Sequence, residues 1–393
     1  MSHCVTRGLE GGTCHAPARA ANVGASLLGD CAEVLGISGE ILQVSDFAAA
    51  AKARLAASTW DYVEGGSGSE LTIAANRAAF EQVRIAPRFL VDVSVCDAST
   101  KILGAPVPSP IGIAPTAYQT LIHPDGEVGM AAGAAGNLCV VSFFATRTIE
   151  EIAAAATGPL WLQLYWLERR AALADMVARA EGAGFQAIVL TVDAPRIGQR
   201  FRDARNGFAI PAEMRAINLD SALTDTVHES VAGRSALAVQ ADRTFDLTVT
   251  WADLAWLRGL TALPLVIKGI LTARDADLAV EAGAQGVIVS NHGGRQVDGA
   301  VAALHALPGI VAAVAGRATV LVDGGIRSGR DVFIALALGA DAVLVGRPSM
   351  WALAAGGASA VDRLMHMIHD ELTHLMAVAG RPRLTDITAD ALA

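Results

Sequence analysis

The chain has 393 residues, 53 % of them hydrophobic and only 5 % aromatic, with Ala and Gly abundant. Such a composition excludes a disordered chain, and the length suits either roughly two or three average domains or one α/β barrel with a leader and an inserted loop. A net charge of −9 without a basic run speaks against nucleic acid or an anionic membrane as partner, since clustered Lys and Arg hold both, but it leaves room for a small anionic substrate met by local arginines.

Residues 1–40 carry Gly, Ala and Ser but no basic segment leading into an apolar core, and read as a poorly ordered leader. No stretch of the chain reaches membrane-spanning length without charges. The five cysteines, Cys4, Cys14, Cys31, Cys96 and Cys139, are scattered and odd in number. That suits neither a disulfide framework nor a zinc site, and fits a reducing cytoplasm. Residues 41–393 read as the folded domain. At its start, Ser45–Ser58 is predicted to form one helix capped by a serine, and Tyr62-Val63-Glu64-Gly65-Gly66 a turn that returns over the main body.

From residue 110 onward, short apolar runs alternate with helical patterns, the rhythm of βα units on a parallel sheet. The predicted strands are Ile111–Ala114, Cys139–Ser142, Leu160–Tyr165, Ala187–Val192, Leu265–Lys268, Gly286–Ser290, Thr319–Asp323 and Ala342–Val345. Each is rich in β-branched or large apolar residues, as a strand buried on both faces requires. Amphipathic stretches such as Ala171–Gly182, Thr272–Gly283 and Gly329–Gly339 lie between them and end on glycine, which suits a left-handed helix cap. Eight such strands predict a (β/α)8 barrel. One interval breaks the rhythm: residues 194–247 are polar with weak periodicity, and read as a long loop after the fourth strand, on the catalytic face.

In such barrels the chemistry sits at the C-terminal strand ends. Those ends carry Pro115-Thr116-Ala117, Ser142, Gln163 and Tyr165, Thr191 and Asp193, Lys268, Ser290 with His292 and Arg295, Asp323, and Gly346-Arg347. Polar groups scattered by chance would fall on both faces. The turns Asp323-Gly324-Gly325-Ile326-Arg327 and Gly346-Arg347 stand where barrels commonly bind phosphate, with glycines for backbone approach and an arginine each. A Gly-Gly turn alone is more often only a tight turn; two at these strands, each with an arginine, point to a phosphate-bearing ligand. His292 is the natural general base at neutral pH, with Asp193 able to hold its ring, and Arg295 offers a planar fork to a carboxylate. Each has a bland alternative, a satisfied histidine or a surface arginine, which their joint placement disfavours. Lys268 suits either a Schiff base or the stabilisation of an anionic cofactor, and position alone leaves these tied.

Taken together these residues resemble the FMN-dependent 2-hydroxy acid oxidases and dehydrogenases, the family of the glycolate, lactate and mandelate enzymes. The resemblance runs from about Phe47 to Leu353. Its most specific element is Ser290-Asn291-His292-Gly293-Gly294-Arg295-Gln296-Val297-Asp298, supported by Ile113-Ala114-Pro115-Thr116-Ala117, Gln163-Leu164-Tyr165, Thr191-Val192-Asp193-Ala194-Pro195-Arg196, Lys268-Gly269 and Asp323-Gly324-Gly325-Ile326-Arg327. The resemblance implies that Pro115, Thr116, Ala117, Ser142, Gln163, Thr191, Lys268 and Ser290 line the flavin ring and ribityl chain, with the phosphate on Asp323 to Arg327 and on Gly346-Arg347. It implies that His292 is the base, Asp193 its partner, and Arg295 and Arg200 the carboxylate clamp. Tyr62 and Tyr165 would be phenols that bond the substrate. Lys268 would stabilise negative charge on the flavin's N1 and O2 side, which removes the Schiff-base reading. A 2-hydroxy acid would lose a proton to His292 and two electrons to the flavin, either from carbon first or from the hydroxyl as the electrons leave.

A finer similarity, to the branch acting on mandelate and 4-hydroxymandelate, rests on Tyr118-Gln119, Arg205-Asn206-Gly207-Phe208-Ala209, Gln296-Val297-Asp298-Gly299-Ala300 and Met350-Trp351-Ala352-Leu353. It implies an aromatic (S)-2-hydroxy acid flanked by Tyr118 and Phe144, electrons passing to oxygen or another acceptor, and a homotetramer. Phe143-Phe144 departs from glycolate oxidases, which carry a small residue and Trp there, so the pocket wall differs from theirs. Competing readings are a lactate- or glycolate-type oxidase or dehydrogenase, a flavoenzyme oxidising an amine or a peptide-derived precursor, a flavin barrel of another class such as an isomerase, and a barrel kept as a binding scaffold.

Overall fold

The structure, a computed structural model, describes residues 41–219, 225–228 and 233–393. The leader expected over residues 1–40 lies outside the described residues. Eight parallel strands close into a barrel: β1 (Ile111–Ile113), β2 (Leu138–Val141), β3 (Leu160–Leu164), β4 (Ala187–Thr191), β5 (Leu265–Ile270), β6 (Gly286–Val289), β7 (Thr319–Asp323) and β8 (Ala342–Val345). All eight expected strands are present, with ends within about two residues of the prediction, the usual uncertainty of an element boundary. β8 pairs back onto β1 through Val345 and Ile113, which closes the ring.

The strands are apolar along their whole length because one face fills the barrel and the other meets the helices. Leu138, Val140, Trp161, Ala187, Val189, Val266, Ile288, Leu321 and Leu344 form the inner core. Ile102 and Val107 join that cluster from a hairpin, Thr100–Ile102 with Ala105–Val107. They pack with Leu138, Ala187 and Ala342 at the strand starts, so the hairpin plugs the end opposite the strand C-termini and leaves only that upper face for chemistry.

β5 carries the one irregularity that shapes the site. Its register against β6 shifts between Lys268 and Ile270, where Gly269 has φ +109° and a Cβ would fall 2.6 Å from the Asp193 Cβ. Only glycine allows the end of β4 to approach this closely while Lys268 points into the barrel.

Three segments differ from expectation. The single helix over Ser45–Ser58 is two, Val44–Arg54 and Ala57–Glu64, with Leu55 extended between them. The first is capped by a reciprocal Gln43 and Asp46 box rather than by Ser45. Tyr62 to Glu64 therefore end a helix instead of forming a turn, and Gly65 follows as its cap. The polar interval 194–247 is not a plain loop: it contains the helices Phe201–Asn206 and Ala236–Thr244 and the turn Asp225–His228. Helices this short span too few turns for their periodicity to stand out. After β8, Arg347–Val378 is one long helical run broken at Gly356-Gly357, and it packs against Val44–Arg54.

Candidate active site

One pocket opens at the C-terminal strand ends, and its lining includes every predicted site residue except Ser290 and Asp193, which lie directly behind it. At one end the turn after β7 presents Gly324, Gly325 and Arg327, and the turn after β8 presents Gly346 and Arg347. Gly324 and Gly325 have φ +92° and +97°. A Cβ on Gly325 would strike the Asn76 carbonyl at 2.7 Å, so backbone can line the pocket only if this residue is glycine. Arg327 stacks on Trp351 at 4.8 Å, and the Trp351 indole donates to Glu64. Arg347 donates to the Gly293 carbonyl at 2.9 Å and to the Gly65 carbonyl at 3.2 Å. Burial pushes the Arg327 guanidinium down to about 9, and the nearby Arg347 adds to the effect. Crowded buried cations of this kind are relieved by an anion.

The middle of the pocket is polar on one side. Lys268 donates to Ser290 Oγ at 2.9 Å and pairs with Asp323 at 3.1 Å, while Ser290 Oγ donates to Asp323 at 2.6 Å. Burial opposes the Lys268 charge, but Asp323 and Asp193 outweigh it and hold the ammonium above its ordinary value. A Schiff base needs a neutral amine, so this environment agrees with a fixed positive charge. The Asp323 carboxylate faces Lys268 rather than the phosphate turn. Asp323 lines the pocket where the expected segment Asp323 to Arg327 begins, and Gly324 to Arg327 continue that surface.

Opposite Lys268, Gln163 Oε1 accepts from Ser142 Oγ at 3.4 Å and from the Phe143 amide at 3.3 Å. Its Nε2, and the Thr191 hydroxyl, are buried without a partner among the described residues. Unpartnered buried donors are costly unless a ligand meets them. Pro115, Thr116 and Ala117 line the same stretch from the end of β1, and Thr116 Oγ1 accepts from Gln119 at 2.9 Å. An elongated ligand with a polar planar ring at one end and a phosphate at the other fits this set, as flavin mononucleotide requires.

The outer end combines a base, cations and aromatic rings. His292 Nδ1 lies 2.8 Å from Asp193 Oδ1, and the His292 amide donates to Ser290 Oγ at 3.0 Å. His292 has φ +58°, left-handed and unusual for a residue with a side chain. Burial opposes the Asp193 charge, yet His292 and Lys268 hold its carboxyl below the ordinary value. Arg295 donates to the carbonyls of Tyr62 at 2.8 Å and Gly65 at 2.7 Å. Burial, Arg200 and Arg347 together push it down to about 9. Arg200 is 8 % exposed, and its Nε has no partner among the described residues.

Phe144 forms the centre of an aromatic wall, with Tyr118 at 6.0 Å, Tyr165 at 5.7 Å and Phe245 at 6.3 Å between ring centroids. Tyr62 stacks on Phe208 at 4.8 Å on the far side. Burial raises the phenols of Tyr62, Tyr118 and Tyr165, so each stays a hydrogen-bond donor. The residues of the interval after β4 that sequence reasoning missed are Ile197, Leu237, Gln240, Ala241 and Phe245. Leu237, Gln240 and Ala241 share one face of Ala236–Thr244 at i, i+3, i+4 spacing, the one signal that pointed to them.

Comparison with known proteins agrees with this geometry. A model of the FMN-dependent dehydrogenase family matches residues 51–393. The L-lactate oxidase of Nostoc sp. is 46 % identical over 86 % of this chain and 94 % of that protein. The 4-hydroxymandelate oxidase of Amycolatopsis orientalis is also 46 % identical, over the same shares. A crystal structure of mandelate oxidase with (S)-4-hydroxymandelic acid superposes with a TM-score of 0.86 at 44 % identity, covering 90 % of this chain and 98 % of that one. This chain therefore belongs to the FMN-dependent dehydrogenase family, among the 2-hydroxy acid oxidases: it is a flavoprotein oxidoreductase whose cofactor is FMN.

Proposed function

We propose that this enzyme oxidises an aromatic (S)-2-hydroxy acid, mandelate or 4-hydroxymandelate, to the 2-oxo acid, with oxygen as electron acceptor. The observation that carries the substrate is the wall of Tyr118, Phe144, Tyr165 and Phe245 around the outer end of the pocket. Offset and tilted ring contacts of this kind accommodate a further ring. Similarity to a mandelate oxidase structure and to a 4-hydroxymandelate oxidase supports the same choice.

Within this reading, Arg200 and Arg295 hold the substrate carboxylate, whose charge relieves the mutual repulsion of the two guanidiniums. Tyr62 and Tyr165 donate their phenolic hydrogens to the substrate's oxygens. Asp193 accepts the hydrogen bond of His292 Nδ1–H, so Nε2 carries the lone pair and accepts the substrate's proton. Asp193 then stabilises the imidazolium. Gln163, Thr191, Ser142, Lys268 and Pro115 to Ala117 would hold the flavin ring, Ser290 would set Lys268, and Gly324, Gly325, Arg327, Gly346 and Arg347 would hold the phosphate. Bound FMN would supply the acceptor for the two electrons and for the second of the two protons the substrate loses, which the protein itself lacks. The products are a 2-oxo acid and, on reoxidation by oxygen, hydrogen peroxide.

The test is anaerobic flavin bleaching by glycolate, lactate, both mandelate enantiomers and 4-hydroxymandelate, followed by peroxide measurement in air. The aromatic (S)-acids are expected to bleach fastest and at the lowest concentration, with one peroxide per turnover. Preference for lactate or glycolate would refute the aromatic assignment; slow reoxidation without peroxide would refute oxygen as acceptor.

A further inference from the structure

We propose that two adjacent residues of the helix Leu71–Gln82, Asn76 and Arg77, separately position the two working loops of this site: Asn76 holds the loop of the base His292, and Arg77 holds the phosphate turn. Neither residue lines the pocket, so both are positioning residues. The inference builds on the role given to His292 above.

Asn76 and Asn291 are 2 % and 3 % exposed and exchange two amide hydrogen bonds, Nδ2 to Oδ1 at 2.8 Å in each direction. Asn76 Oδ1 also accepts the Ala303 amide at 3.3 Å. Asn291 accepts the Gly294 amide at 3.2 Å and donates to the Val301 carbonyl at 3.0 Å. Both carboxamides are thus engaged as donor and acceptor, and a satisfied buried network of this kind specifies one geometry. Its place in the chain gives it a function. Asn291 immediately precedes His292, whose left-handed φ of +58° persists only if its surroundings enforce it. The turn that follows, with Gly293 and Gly294 also at positive φ, is closed by the Asn291 side chain. Without Asn76 the Asn291 amide keeps only Val301 and Gly294 and loses the two bonds that tie it to the helix, and the imidazole loses the backbone position that keeps it on Asp193.

Arg77 addresses the other loop. Its Nη1 donates to the Gly325 carbonyl and to Asp331 Oδ2, the latter at 2.8 Å. The Asp331 side chain is fully buried and accepts the Arg327 amide at 2.8 Å. One guanidinium therefore holds the middle of the phosphate turn directly and its arginine through Asp331. The helix touches this turn closely, since a Cβ on Gly325 would meet the Asn76 carbonyl.

Opposite phenotypes follow. Asn76→Ala is expected to lower kcat about 100-fold, the scale of a misplacement transmitted from outside the reacting groups, with FMN Kd within about threefold of wild type. Hydrogen exchange in the peptide covering residues 290–295 should rise. Asn76→Ser, which keeps one polar contact, should fall between the two and serves if the alanine variant fails to fold. Removing the ion pair as Arg77→Met with Asp331→Asn neutralises both of its members, and Arg330, 3.7 Å from Asp331 Oδ1, is left with a guanidinium that solvent reaches. It should weaken FMN about tenfold by fluorescence titration, while kcat at saturating FMN stays within about twofold of wild type. Parallel changes of kcat and Kd in both sets, or a lowered Tm with both constants unchanged, would overturn the division of labour. If wild-type enzyme were not reduced by any 2-hydroxy acid, the role of His292 would fail first; the FMN titration and hydrogen exchange would still judge Arg77 and Asn76.

Discussion

On the assignment proposed above, the two ends of the pocket solve the same problem, holding an anion, by different means. At the phosphate end, Gly324, Gly325 and Gly346 bring backbone to the pocket, and Arg327 and Arg347 follow them within the two turns after β7 and β8. At the substrate end, side chains from distant segments converge: Tyr62 from an N-terminal helix, Arg200 and Phe245 from the interval after β4, Arg295 from the turn after β6. Short turns on buried strands make a rigid cradle for a cofactor. Side chains on loops make a surface that changes with the substrate.

The largest effect should separate chemistry from binding altogether. His292→Asn is expected to lower the rate of flavin bleaching about 1,000-fold or more, within the range of general-base catalysis, while FMN remains bound. Normal anaerobic bleaching by that variant would remove His292 from the mechanism. Next, Arg295→Met should lower kcat/KM about 100-fold, as expected when one partner of a buried charge contact is lost, and leave FMN content unchanged. Arg327→Met should do the reverse, losing FMN during gel filtration and regaining activity with added FMN. Equal loss of FMN in both variants would erase the distinction between the ends.

A pH profile sharpens the same contrast. The Arg295 guanidinium is pushed down to about 9 in the free enzyme, so it is charged below that pH and loses its proton above it. KM for a 2-hydroxy acid should therefore rise on the alkaline side, by about tenfold per pH unit once the neutral form dominates. kcat should change less, because a bound carboxylate restores the charge. A flat KM up to pH 11 would show that Arg295 keeps its charge without substrate. The smallest effect is Phe245→Ala, which should raise KM for mandelate roughly fivefold through the lost ring contact and leave that for glycolate nearly unchanged. Equal shifts for both acids would place Phe245 in general packing.

How much of this was legible follows from where the information lies along the chain. The eight strands were readable because burial on both faces imposes an unbroken apolar run. His292 and Arg295 were readable because they share one short segment, and the phosphate turns because glycine and arginine are neighbours. Ala236–Thr244 was not, since its pocket face offers three residues amid polar ones. Asn76 stands 215 residues from Asn291, and two asparagines that far apart carry no local mark of pairing. The pairing of Asp323 with Lys268 and Ser290 was hidden for a related reason: adjacency to Gly324 says nothing of its side chain, which alternation along β7 turns toward them.

By itself, then, the sequence determined the barrel, the cofactor family and the candidate base, because each is written in contiguous residues or in a regular period. Only the tertiary structure decided which carboxylate serves Lys268, which helix walls the substrate pocket, and how His292 is held in a left-handed conformation. Those depend on side chains meeting across the fold, where direction and distance matter and sequence spacing does not.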